Sequence, residues 1–294
     1  MSIILLLIIH QDIDFEDLYN KATTSLVQFQ AVKDSAVEEF IRLGKDSLFS
    51  DIITDFLVSK FDTKSAMEQH TLKNILKELG DRSIEGIVKK INYRGSDETA
   101  RCLAQSLWIL GEIGSEAIIE PTASFIHDEK WQIRSAAYTA LGKVKTPLVL
   151  PYALQGLDDS ISVVRKSAYY ALAQIATPNE ISYLIAGLGD QFYGVRYTAY
   201  EGLLRIGDQA WLPLVQALGD GSLTNYFILK ALVQLDPNDK AKKDLLKFLD
   251  KSAVPIRLLI YEGIQDRKSL RFFLKSEQDA LLRNYLNKKI SALD

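Results

Sequence analysis

The most regular polar feature of this chain is an arginine followed four residues later by a tyrosine: Arg134 with Tyr138, Arg165 with Tyr169, and Arg196 with Tyr200. An i, i+4 spacing puts both members on one stripe of a helix. A guanidinium is a planar donor fork suited to carboxylates, and a phenol offers a broad apolar body with a polar tip. Two roles follow for the pairs. The arginines suit a structural ladder, in which each bridges to Asp128, Asp159 or Asp190 of an adjoining unit. The tyrosines divide between core packing and a recognition surface. Trp131 and Tyr193 stand at the starts of the same segments, where a helix end meets solvent. These eight residues are the candidates for binding a ligand or partner.

Other chemistry is sparse. His10, His70 and His127 are scattered, and the string His127-Asp128-Glu129 reads as a turn and helix cap. The single cysteine, Cys102, excludes an intramolecular disulfide and a multi-thiolate metal site, and reads as a small buried hydrophobe. No phosphate loop, dinucleotide fingerprint or nucleophile elbow is present. No catalytic residue, metal ligand or intrinsic cofactor is therefore assigned.

The elements that position the candidates come from an internal repeat. IRSAAYTALGKV at 133–144 recurs as VRKSAYYALAQI at 164–175 and VRYTAYEGLLRI at 195–206, a period of 31 residues. Ile133, Ala136, Ala137, Ala140, Leu141 and Val144 share one face of a helix. A breaker follows each copy, and then a second apolar segment such as EISYLIAGL at 180–188 or AWLPLVQAL at 210–218. Its last apolar position forms the column Ile126, Leu157, Leu188, Leu218 and Leu249. The aspartate that opens each unit suits the N-terminal turn of the first helix. Two such helices cannot bury both apolar faces alone, so successive units must stack. The sequence predicts an all-α, right-handed α-solenoid of helical hairpins. Residues 1–95 read as irregular N-terminal hairpins, with pieces near 31–60 and 66–91. Residues 96–250 carry the regular repeats, and 251–294 a final repeat and capping helix.

Composition narrows the partners. A net charge of -3 gives no global field for nucleic acid or anionic lipid, and the basic run from Lys240 to Lys247 with Lys251 alternates with acids like a solvated face. Nucleic acid is an unfavoured partner. The apolar run Ile3 to Ile9 is too short to span a bilayer and lacks the flanks of a signal peptide, so a buried cap, no membrane and a cytoplasmic location are expected.

The order Asp, hydrophobe-Arg, paired small residues, Ala-Leu-Gly, seen from Asp128 to Gly142, resembles the HEAT-like repeats of the phycobilisome lyases of E/F type. The likeness runs from about Asp97 to Leu249. It implies a phycobilin lyase or lyase chaperone, which holds an open-chain tetrapyrrole for attachment to a cysteine of a phycobiliprotein subunit, in some cases with a second HEAT-like subunit. On that resemblance the phycobilin is a substrate, aromatic residues wall it, and the arginines meet its propionates. The alternative is a HEAT-repeat scaffold or assembly factor that clasps a protein on its concave face without catalysing anything.

Overall fold

The computed structural model describes residues 13–96, 100–218, 222–235 and 254–293. The Ile3 to Ile9 run, Asp97, the Lys240–Lys251 cluster and Leu249 lie outside them. Among the described residues there is helix and no strand. No helix there is long and apolar enough to cross a membrane. The chain is an all-α solenoid that divides into two compact units, Met1–Gly156 and Leu157–Asp294.

The first unit contains α1 (Phe15–Ala22), α2 (Gln30–Lys45), α3 (Ser50–Ser59), α4 (Ala66–Leu79), α5 (Asp81–Lys90), α6 (Arg101–Ile113), α7 (Ile119–Ala123), α8 (Trp131–Val144) and α9 (Leu150–Gln155). The long helices α2, α4, α6 and α8 pack each against the next. Leu43, Leu72, Ile75, Leu76, Leu103, Leu107, Leu110 and Leu141 fill the seams of that row and are fully buried or nearly so. The second unit contains α10 (Ser162–Ile175), α11 (Ile181–Gly187), α12 (Tyr193–Ile206), α13 (Trp211–Gln216), α14 (Ser222–Leu235), α15 (Val254–Gly263), α16 (Arg267–Ser276) and α17 (Ala280–Ala292). Here α10, α12, α14 and α15 continue in the same manner, and α17 packs on both α15 and α16.

The repeat's first helices fall where the spacing puts them, but the second helices are much shorter than their apolar segments. The helices α7, α9, α11 and α13 have five to seven residues, each entered through a 3₁₀ turn: Glu116–Ile118, Pro147–Val149, Pro178–Glu180 and Gly207–Ala210. Pro147 and Pro178 open their turns, where a missing N–H costs nothing. Pro121, Pro151 and Pro213 sit inside the first turn of the helix that follows. Ile126, Leu157 and Leu188 of the expected column are buried and Leu218 is half-buried.

The repeat aspartates are not helix caps. The N-cap residues of α8, α10 and α12 are Lys130, Ile161 and Phe192, none of which uses its side chain. Each aspartate lies two residues earlier and accepts the N-cap amide: Lys130 N to Asp128 Oδ1 at 2.9 Å, Ile161 N to Asp159 Oδ1 at 2.8 Å, and Phe192 N to Asp190 Oδ1 at 2.7 Å. This closes the entry loop before the helix begins.

Small residues let neighbouring helices approach closely. A methyl added at Gly111 of α6 would lie 2.8 Å from Ala140 Cα of α8, so the two backbones would have to part. At Gly187 of α11 it would overlap the buried Tyr169 ring of α10. Gly111→Ala and Gly187→Ala should each lower stability by about 1–3 kcal/mol through overpacking, despite alanine's better helix propensity. Urea midpoints that rise or stay unchanged would disprove that these glycines set the helix spacing.

Candidate functional site: an aromatic and cationic surface on α12 and α14

Each repeat arginine sits in the second turn of its helix and reaches back over its own entry loop. Arg134 Nη1 donates to the carbonyls of Asp128 and Glu129 at 2.8 and 3.3 Å, and Arg165 Nη1 to those of Asp159 and Ser160 at 2.8 and 3.4 Å. Arg196 Nη1 does the same to Asp190 and Gln191 at 2.6 and 2.8 Å. Arg165 also joins one unit to the next, donating from Nε and Nη2 to the two carboxylate oxygens of Asp190 at 2.7 and 3.0 Å. The ladder expected for the arginines is present here as a bidentate pair.

The same geometry recurs in segments the 31-residue period does not reach. Gln69 donates to the Thr63 carbonyl at 3.0 Å while Thr63 Oγ1 accepts the Ser65 amide at 3.1 Å. Arg283 donates to the Glu277 carbonyl at 2.8 Å while Glu277 Oε1 accepts the Asp279 amide at 2.8 Å. Glu277 further accepts from Arg257 Nε at 3.0 Å and Tyr261 Oη at 2.6 Å. Arg257 and Tyr261 form a fourth Arg–Tyr pair at i, i+4 that sequence reading missed, because it meets Glu277 after 20 residues and not an aspartate after 25. The register of Arg134 falls on Leu103 one unit earlier, and there Asp128 takes its arginine from a loop, Arg94.

The repeating tyrosines do not lie on a surface. Tyr138, Tyr169 and Tyr200 are 1%, 5% and 4% exposed, which corrects the expectation of an accessible Arg–Tyr stripe. The helix α12 packs against both α10 and α14, so its buried arc is wider than one apolar stripe and takes in Tyr200. Burial pushes the Tyr169 hydroxyl up to about 12, the Asp158 and Asp190 charges adding to it. Cys102 is buried as expected, its thiol pushed up to about 11 by burial and then by Asp62.

The exposed candidates are Trp131, at 39%, and Tyr193, at 57%. Tyr193 belongs to a cluster built from α12 and α14. Its ring stacks on Tyr197 with centroids 6.0 Å apart and planes 20° apart, and lies 5.9 Å from Phe227. Tyr200 closes the cluster below, 6.0 Å from Tyr197 and 6.1 Å from Phe227, its hydroxyl donating to Gln234 Oε1 at 2.5 Å. Two cations lie on the rings. Lys230 Nζ is 4.9 Å from the Tyr200 centroid and 5.8 Å from that of Tyr197; Arg196 Cζ is 5.8 Å from Tyr193 and 5.7 Å from Phe227. Tyr197 and Phe192 are exposed beside Tyr193. Such a surface offers flat apolar faces with fixed positive charge, suited to aromatic or anionic groups. Among the described residues no cluster of three His, Cys, Asp or Glu could hold a metal ion.

A model of HEAT repeats matches residues 92–173. No curated protein matches the chain in sequence. Among solved structures, an Escherichia coli protein, YibA, is 16% identical with a TM-score of 0.51, covering 88% of this chain and 96% of its own. Kap121p is 11% identical with a TM-score of 0.51, over 94% of this chain and 33% of its own. The complex of CpcE and CpcF of phycocyanin lyase from a Nostoc species is 13% identical over 82% of this chain and 94% of that one, with a TM-score of 0.41. Likenesses at this identity speak to the fold alone.

The carboxylates that close the entry loops are tuned by their partners. Burial pushes Asp190 up, but the hydrogen bonds of Arg165, the Phe192 amide and the charges of Arg165 and Arg196 outweigh it and hold the carboxyl below its usual range. Asp128 and Glu277 are held low in the same way, against burial, the first chiefly by Arg94 and the second by Tyr261, the Asp279 amide and Arg257. The unfolded chain then binds protons near the ordinary aspartate pKa of about 3.9 while the folded chain does not. Stability is complete at neutral pH and falls as the pH drops from about 5 through the folded value. Asp190→Asn should lower stability at pH 7 and flatten the fall toward pH 3. Urea midpoints against pH for the two proteins read both effects, and parallel curves would disprove the pairing. Arg165→Ala should cost about 1.5–3 kcal/mol, whereas Tyr193→Ala should stay within about 0.5 kcal/mol.

Proposed function

We propose that this chain is a HEAT-repeat scaffold that holds a protein partner against the aromatic surface of α12 and α14. The observation that supports this reading is the exposed Tyr193–Tyr197 stack flanked by Arg196 and Lys230. Tyrosine and arginine dominate the energetics of protein interfaces because they bring large, stiff contact area with a polar edge. Both tyrosines stand on a helix locked between neighbours, so little entropy is lost when a partner docks. Arg165, one of the binding candidates in the sequence, is committed to Asp190 of the next repeat. The aromatic cluster, by contrast, keeps Tyr193 and Tyr197 exposed.

A second reading is favoured by the same cluster. A phycobilin is a flat conjugated chain with two propionates, and stacked tyrosines beside two cations would wall the first and meet the second. In that role the chain would position the tetrapyrrole for a cysteine of a phycobiliprotein subunit.

Site-specific photocrosslinking tests the first reading. A crosslinker at position 193 or 197 should yield a discrete protein adduct that the same group at exposed Leu148 does not, and Tyr197→Ala beside a crosslinker at 193 should weaken it about tenfold. Absence of any adduct at both positions would sink the scaffold. Co-expression with a phycobilin-producing pathway tests the second reading. Visible absorbance should co-purify with the wild type and fall in Tyr193→Ala/Tyr197→Ala, and a colourless wild-type protein counts against it.

A further inference from the structure

The aromatic surface of α12 and α14 extends onto α10, which packs against α12. Ile161 and Val163, at the start of α10, are each 36% exposed, and Phe192 carries the apolar strip on to Tyr193 and Tyr197. A methyl added at Gly194 would lie 2.8 Å from the Phe192 ring and 3.2 Å from Lys166 Cδ, so the strip is close-set where α10 and α12 meet. Beside it the surface between the two helices is hollowed by about 420 Å³, lined by Tyr170, Thr198, Glu201 and Gly202. Tyr197 borders this hollow, its hydroxyl donating to Glu201.

Several polar groups of the strip have nothing to bind. Among the described residues the hydroxyls of Tyr193 and Tyr226 make no hydrogen bond, and Lys166 and Lys230 make no ion pair. Tyr226 belongs to α14 and stands edge to face with Phe227 of the cluster. Positive charge is in excess: Lys166 and Lys230 lie exposed or half-buried, Glu201 is engaged by Tyr197, and Asp190 is taken by Arg165. The strip therefore favours an acidic partner over a basic one.

Helix spacing and the idle phenols select a backbone. Packed helices lie about 8–10 Å apart. A polyproline II segment has three residues per turn and a rise of about 3.1 Å, so it presents like side chains every 9 Å or so and crosses one helix per turn. A β-strand repeats each face about every 6.7 Å and falls out of step. A partner helix keeps its carbonyls for itself, whereas polyproline II has no internal hydrogen bonds and leaves its carbonyls to outside donors. Flat aromatic faces suit proline rings.

Resting on the reading of α12 and α14 as a protein-docking surface, we propose that the strip across α10, α12 and α14 docks an acidic, proline-rich segment of the partner in polyproline II conformation. Its prolines lie on Tyr193 and Tyr197, its carbonyls accept from the hydroxyls of Tyr193 and Tyr226, and carboxylates at every third position meet Lys166 and Lys230.

Fluorescence anisotropy of a labelled peptide, Pro-Pro-Glu-Pro-Pro-Glu-Pro-Pro-Glu, against the full chain tests this, and saturable binding is expected. Gly-Ser-Glu-Gly-Ser-Glu-Gly-Ser-Glu, equally charged but flexible, should bind about tenfold less tightly. The same should hold for the proline peptide with lysine in place of glutamate. Tyr193→Phe and Tyr226→Phe should each weaken binding several-fold, which reads the hydroxyl apart from the ring. Lys166→Glu/Lys230→Glu should remove the preference for glutamate over lysine, with circular dichroism unchanged. No binding, equal binding of the flexible peptide, or indifference to both tyrosine substitutions would overturn the proposal. A crosslinked protein at position 193 or 197 without peptide binding would overturn this occupant and leave the scaffold standing, whereas absence of both would remove the two together.

Discussion

The hydrogen bonds by which an arginine in the second turn of a helix closes the loop ahead of it, and in α10 grasps the next loop as well, hold this fold in register. Helix stacking by apolar contact alone is permissive, because alanine and leucine seams tolerate sliding and rotation. A bidentate guanidinium–carboxylate pair is not permissive: Arg165 and Asp190 meet at 2.7 and 3.0 Å, and that fixes where one entry loop sits against the next. Asp190 simultaneously holds the Phe192 amide and, through its carbonyl, Arg196. One residue therefore sets the start of α12 and its offset from α10. The aromatic cluster built on α12 inherits its position from that residue.

Periodicity made the long helices legible from the sequence, since 31-residue spacing and a 3.6-residue stripe are properties of residue order alone. The side on which a column falls is less so. Tyr138, Tyr169 and Tyr200 lie beside the arginine column, and their type allows core or surface; the packing of each helix on its neighbour decides for the core. The second helices were overestimated because apolar segments such as AWLPLVQAL stay apolar whether they form a 3₁₀ turn, a helix or a loop packed on the core. Proline within their first turns, as at Pro151 and Pro213, was the available signal.

The loop closures that escaped sequence reading share a cause. Glu277 replaces aspartate, and the path from Arg257 shrinks to 20 residues, so both identity and spacing drift while the contacts survive. Thr63 and Gln69 preserve the same loop closure with no charge at all. Geometry persists in these units after sequence similarity fades. Phe227 and Lys230 escaped for another reason: they belong to α14, whose register is two residues short, and their meeting with α12 is a tertiary event.

The loop clasp also gives the array a direction. In the pair that joins consecutive units, the arginine belongs to the earlier unit and the carboxylate to the later, so a unit offers unlike surfaces at its two ends. Tandem duplication of a segment such as 159–189 would insert a donor and an acceptor together and leave every existing match intact. Deletion of a fraction of it would strand both. The architecture can therefore change length in whole steps without redesign, like a chain of couplings that join only head to tail.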